Sequence, residues 1–145
     1  MAAVRAPVDR HLPDVDWPAA RGFWEGCRAG ELRLPRCADC GRWVWYPAPA
    51  CPGCGGERHP WRRVSGRGRI FTWVRVHRAF LPGHAARVPY VTALIELEED
   101  PRLRLAAFLR DVPPDGPRIG LAVEVVFERI DERITLPAFR CVTGR

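Results

Sequence analysis

The sequence predicts a mainly β protein: an N-terminal helix, a rubredoxin-like zinc ribbon and then a five-stranded barrel. Three observations carry this. Two knuckles of one design, Cys37-Ala38-Asp39-Cys40-Gly41 and Cys51-Pro52-Gly53-Cys54-Gly55, lie ten residues apart. From Trp61 onward, segments of alternating apolar and polar residues are separated by turn residues, the pattern of half-buried strands. Ahead of the knuckles, residues 17–31 carry helix start and stop signals around an apolar stripe.

Residues 1–16 mix Pro, Asp, Arg and His with few large apolar groups and read as a flexible arm. In the helix that follows, Asp16 is the expected N-cap, Pro18 sits in the first turn, and Gly30 supplies the stop. Ala20, Phe23, Trp24 and Cys27 share one face. Gly22 and Gly26 each weaken the helix by about 1 kcal/mol relative to Ala, so it needs a surface to dock on.

Residues 32–60 form the ribbon, entered by a short strand over Glu31-Leu32-Arg33-Leu34. Two residues between cysteines let both sulfurs face one metal, and the glycine after each pair relieves the turn. Ten residues between the pairs allow a hairpin that completes a tetrahedral shell of Cys37, Cys40, Cys51 and Cys54. Four thiolates leave no open coordination position, so one zinc with a structural role is expected. Iron is the rival metal, because Cys-Pro-x-Cys-Gly also suits a rubredoxin centre, but the intervening segment is short for that fold. His59 reads as a surface residue, and Cys27 and Cys141 as small apolar groups.

The barrel is expected over residues 61–142. Arg63 to His77 reads as one long strand with Gly66 and Gly68 at a bulge or bend. Tyr90–Leu97, 102–109, 121–130 and 134–142 supply the other four strands. Five strands, a kinked first strand and a longer connection before the fourth suit the oligonucleotide/oligosaccharide-binding (OB) fold. In such barrels the loop between strands one and two borders the ligand face. Phe80, His84, Arg87 and Tyr90 in that loop are therefore candidate substrate-binding residues.

No apolar run approaches the roughly 20 residues of a membrane span, and the first residues lack a signal-peptide core, so a cytoplasmic protein without membrane partners is expected. The charge of +6 comes from 23 arginines, with no Lys, Asn or Gln in the chain. The missing residues share A-rich codons, which suggests a high-GC genome. Arginine nevertheless favours anionic ligands, because its fork matches phosphate and carboxylate. No catalytic constellation emerges. The four histidines have no neighbouring nucleophile in a known motif, and there is no Gly-x-Ser-x-Gly or phosphate-binding glycine loop. Five of the six tryptophans precede the barrel, and aromatic patches of this kind mark interfaces, so Phe23, Trp24, Trp43 and Trp45 are candidates for contact with a partner.

Phe23-Trp24-Glu25, Leu32, the two knuckles, Pro47, Ser65-Gly66-x-Gly68, Val88-Pro89-Tyr90-Val91, Ile119-Gly120 and Leu136-Pro137-x-Phe139 resemble, in order and spacing, the acyl-CoA-associated zinc-ribbon/OB-fold family over about residues 17–142. The resemblance implies a non-catalytic subunit that binds a thiolase-superfamily enzyme, with an acyl-CoA at or near the interface. The high-GC alphabet points to the thiolase-like aldolases of bacterial steroid side-chain degradation, which cleave a carbon–carbon bond. The alternative reading is a single-strand nucleic-acid binder, with Phe71 and Trp73 as stacking platforms beside Arg69 and Arg75.

Overall fold

The computed structural model describes residues 11–142. A 3-10 turn over Pro18–Ala20 leads into α1 (Arg21–Arg28). Gly30, at φ 73°, ends it, and the Glu31 N–H donates back to the Gly26 carbonyl at 2.8 Å. Asp16 does not cap this helix. Its carboxylate accepts from Arg133, 117 residues further on, because the intervening 3-10 turn makes Ala20 the residue preceding α1. The helix glycines mark close packing. A Cβ on Gly22 would lie 2.4 Å from the Trp61 ring, and one on Gly26 would lie 2.7 Å from the Glu31 carbonyl oxygen. Intrinsic helix stability is given up where the helix must approach its neighbours.

The ribbon's sheet consists of β1 (Arg33–Pro35) and β2 (Trp61–Arg63), paired antiparallel with Arg33 opposite Arg63. The long strand expected from Arg63 begins at Arg67, because Trp61–Arg63 pair with β1. The barrel proper comprises β3 (Arg67–Val76), β4 (Tyr90–Leu97), β5 (Arg104–Arg110), β6 (Ala122–Arg129) and β7 (Thr135–Cys141). It closes in the order β3-β4-β5-β7-β6. All pairings are antiparallel except β5 with β7, where Leu109 and Arg110 lie opposite Phe139 and Arg140 in parallel. The expected bulge is present but displaced. The register of β3 against β4 shifts between Ile70 and Thr72, which turns Phe71 outward beneath the Arg104 guanidinium, 3.6 Å from its ring centroid. Gly66 and Gly68 serve tight approach: a Cβ on Gly68 would lie 2.4 Å from the Glu96 carbonyl oxygen.

One continuous apolar core joins the parts. Phe23 and Cys27 of the helix, Leu32 and Leu34 of the ribbon entry, and Ile70, Ile95, Leu97, Leu105 and Phe139 of the barrel belong to the same buried cluster. α1 packs on β1, β2 and β7, and Trp24, Trp43, Trp45 and Trp61 pack half-buried against the cluster. Among the described residues no helix is long and apolar enough to cross a membrane.

Candidate metal centre and ligand pockets

Each knuckle is a backbone turn that aims sulfur inward. Gly41 N–H donates to the Cys37 carbonyl at 2.9 Å and Gly55 N–H to the Cys51 carbonyl at 2.8 Å. Gly41 (φ 76°) and Gly55 (φ 79°) take the left-handed conformation that reverses the chain, which a side chain would oppose. Each knuckle is closed at its base by a second bond, Cys37 N–H to the Arg42 carbonyl in the first and Cys51 N–H to the Gly56 carbonyl in the second, both 2.8 Å.

The four sulfurs lie within 4.8 Å of one another, with Cys37–Cys54 and Cys40–Cys51 separations of 3.6 Å. A tetrahedron with Zn–S bonds of about 2.3 Å has edges of about 3.8 Å, so the donor set fits zinc in geometry as well as chemistry. Backbone N–H groups of Gly53 and Gly56 donate to the Cys51 and Cys54 sulfurs at 3.4 Å, which stabilises thiolates. The Cys51 thiol is held down to about 6, first by the Cys54 backbone N–H and also by that of Gly53, whereas Cys54, despite the Gly56 N–H, is pushed up to about 12 by the neighbouring Cys37 and Cys40 sulfurs. His59 is not a ligand; its Nε2 lies 2.7 Å from the Gly56 carbonyl oxygen. With its four positions filled by protein, a bound zinc supplies structure and no reaction chemistry.

The loop after β3 folds back to build a second site. Of the candidates named from the sequence, Arg87 and Tyr90 line it, and His84 stands behind Tyr90 and Phe108. A pocket of about 550 Å³ is lined by Arg75 of β3, Arg87 and Tyr90, and by Phe108 and Arg110 of β5. The His84 ring lies 5.5 Å from Tyr90 and stacks 6.1 Å from Phe108, and its buried Nδ1 has no protein partner. Arg110 donates to Glu128 at 2.9 Å, and Arg87 stands 4.0 Å from the same carboxylate. Three guanidinium groups stand here against the one carboxylate of Glu128, so the pocket carries net positive charge. Phe80 does not join it. Its ring is 82% exposed, with Arg78 5.9 Å from its centroid.

The aromatic residues of the front half line a groove of about 850 Å³, whose walls include Trp17, Trp24, Trp45 and Tyr46 and whose floor includes Ala106 and Phe108. Phe23, a candidate partner contact, is only 5% exposed and packs on Trp24 and Trp45, so it presents no surface of its own. Trp43 packs half-buried on the core and carries Arg36 5.1 Å from its ring. The stacking platform required for a nucleic-acid binder is not offered by β3, since Arg104 covers Phe71 and Trp73 packs against the core.

Comparison with known proteins agrees with this architecture. The model described as "ChsH2, rubredoxin-like zinc ribbon domain" matches residues 24–59, and that described as "ChsH2, C-terminal OB-fold domain" matches residues 61–128. A "probable enoyl-CoA hydratase alpha subunit" of Thermomonospora curvata is 34% identical over 119 residues, covering 81% of this chain and 36% of that protein. The "3-oxo-4,17-pregnadiene-20-carboxyl-CoA hydratase alpha subunit" of Mycobacterium tuberculosis is 37% identical over 105 residues, 72% of this chain and 32% of that protein. The chain therefore spans about a third of the length of these two relatives. A "DUF35 domain-containing scaffold protein" of Pyrococcus furiosus is 33% identical over 110 residues, 76% of this chain and 79% of that protein. Among solved structures, a chain of the "Ltp2-ChsH2(DUF35) aldolase" superposes with a TM-score of 0.78 at 31% identity, covering 90% of this chain and 98% of that one.

Proposed function

This chain belongs to the ChsH2/DUF35 family, and from that premise we propose that it is a non-catalytic accessory subunit of an enzyme of steroid side-chain degradation. The partner is a thiolase-superfamily protein, a thiolase-like aldolase that breaks a carbon–carbon bond of an acyl-CoA by retro-aldol cleavage, and the complex works in the cytoplasm. The observation that carries this reading is the match along 98% of a chain of the Ltp2-ChsH2(DUF35) aldolase. The name of the mycobacterial relative, a hydratase subunit for a steroid-derived CoA ester, supports the substrate class.

The residues divide the work. Zinc on Cys37, Cys40, Cys51 and Cys54 holds the ribbon loop in place. The half-buried belt of Trp24, Trp43 and Trp45, with the exposed rings of Trp17 and Tyr46, meets the partner. Arg87 and Arg75 face phosphate groups of the CoA, while His84 and Tyr90 flank it. Co-expression with the thiolase-like protein encoded nearest to it tests the proposal. A stable complex is expected, with carbon–carbon cleavage by the mixture and none by this chain alone. Failure to associate, or turnover by this chain alone, refutes it.

A further inference from the structure

The loop between β3 and β4 divides into a fixed base and a projecting tip. Pro82–His84 form a 3-10 turn in which His84 N–H donates to the Leu81 carbonyl and Ala85 N–H to the Pro82 carbonyl, both at 3.0 Å. Arg87 N–H then donates to the His84 carbonyl at 2.9 Å. The His84 ring ties this base to the barrel by packing on Tyr90 and Phe108. At the tip, Phe80 and Leu81 face solvent, and the Arg78 guanidinium lies 5.9 Å from the Phe80 ring centroid. Among the described residues Phe80 is the most exposed large apolar side chain. The charge around it has one sign: from Ile70 to Ile95 the chain contains Arg75, Arg78 and Arg87 and no aspartate or glutamate. Glu128 reaches Arg87 from β6, whereas Arg78 stacks on Phe80.

We infer that Phe80 and Leu81 are an anchor that enters an apolar cleft of the thiolase-like partner, rimmed by carboxylates that answer Arg78. The inference rests on the reading of the chain as an accessory subunit of that enzyme, and adds a contact outside the tryptophan belt. Phe108, on which His84 packs, also lines the groove bordered by Trp24 and Trp45, so the tip springs from beside the surface proposed to meet the partner. Because the base is already ordered, docking costs little conformational entropy, and a ring that stands in water beforehand gains its full burial afterwards. Pairing of two tips would set Arg78 against Arg78 with no carboxylate in the segment, so a symmetric second copy does not fit. Nor does a lipid surface, because two apolar side chains bury fewer carbons than a myristoyl chain, which alone binds membranes only marginally.

The zinc-loaded full chain is titrated with the thiolase-like partner by calorimetry, and the parent is compared with Phe80→Ala, Phe80→Trp and Arg78→Glu. Phe80→Ala should weaken the complex about 30-fold or more, the effect of losing a hot-spot ring. Thermal unfolding of the free chain should not change, because the side chain is exposed. Phe80→Trp, which keeps an aromatic anchor, should restore most of the affinity. Arg78→Glu should weaken association about tenfold or more and flatten its dependence on salt. With the subunit at saturating concentration, Phe80→Ala should leave KM for the acyl-CoA at the parent value, which loss of a substrate contact would raise. Parent-like affinity in Phe80→Ala or in Arg78→Glu, or a raised KM at saturation, overturns the inference, while the parent complex leaves the accessory-subunit reading standing. Failure of the parent chain to associate overturns both. A dimer of the free chain, or binding to phosphatidylglycerol vesicles, that Phe80→Ala abolishes assigns the tip to another occupant and overturns the inference.

Discussion

The ribbon and the barrel reach stability by different routes. In the ribbon, β1 and β2 pair over three residues each, and the buried groups of the metal end are Cys37, Val44 and Cys51 alone. The barrel strands are seven to ten residues long and enclose a cluster in which Ile95 and Phe139 are wholly buried. A four-sulfur shell therefore stands where the smaller module has no room for a hydrocarbon core. Stabilisation concentrated in one ion makes every ligand indispensable, whereas stabilisation spread over many side chains tolerates the loss of one.

That contrast is open to direct attack, beginning with the metal. Elemental analysis should find one zinc per chain, and Cys37→Ala or Cys54→Ala should abolish its binding. Because structural zinc contributes on the order of 10 kcal/mol to such modules, the ribbon is expected to unfold, read as loss of amide protection over residues 33–63, while β3 to β7 keep theirs. A fully protected ribbon without metal would show that the small buried cluster of Cys37, Val44 and Cys51 suffices. Next in size, Phe139→Ala removes a fully buried ring from the barrel and should cost about 3–5 kcal/mol in denaturant unfolding with zinc content unchanged.

Arg87→Ala probes the phosphate contact proposed for the barrel's cationic pocket. In the reconstituted complex, loss of a charge-assisted contact of about 1.5–3 kcal/mol should raise KM for the acyl-CoA about tenfold or more with kcat nearly constant. An unchanged KM removes Arg87 from the site. Gly22→Ala tests the seam between helix and ribbon. Crowding of the Trp61 ring costs about 1–3 kcal/mol against about 1 kcal/mol gained in helix propensity, so thermal unfolding should show a small net loss. The smallest effect belongs to Asp16. The hydrogen bond from Arg133, and then its charge, hold this carboxyl below its ordinary 3.8. A folded value below the unfolded one means that the pair stabilises above about pH 4 and that its contribution fades as pH falls through the lowered value. Melting curves of Asp16→Asn and the parent protein should differ at neutral pH and converge in acid.

What was legible in the sequence follows the range of the interaction. The four ligands were readable because a knuckle is built from adjacent residues and declares itself by spacing. The bounds of β4 agreed with its alternation because both of its neighbours are barrel strands. The start of the long strand was set too early, at Arg63, because that residue pairs with β1 some 30 residues upstream, and alternation does not say which sheet a strand joins. The bulge fell at Phe71 and not at the nearby glycines because close backbone approach, not bending, requires Gly68. His84, Arg87 and Tyr90 could be grouped from the sequence because they share one loop. Arg75, Phe108 and Arg110 were missed because strand closure brings them from β3 and β5, and no local pattern announces it.

The antiparallel pairing of β1 with β2 has a topological consequence. Val64 N–H donates to the Leu32 carbonyl at 2.9 Å, so the chain leaves for the ribbon and returns from it at the same place. The ribbon is in effect a parenthesis in the polypeptide: its endpoints are stitched together, so its knuckled tip can lengthen or shorten while Leu34, Trp43 and Trp45 keep their places against the shared core. Helix and barrel hold their mutual position through the contacts of α1 with β7, which bypass the parenthesis altogether.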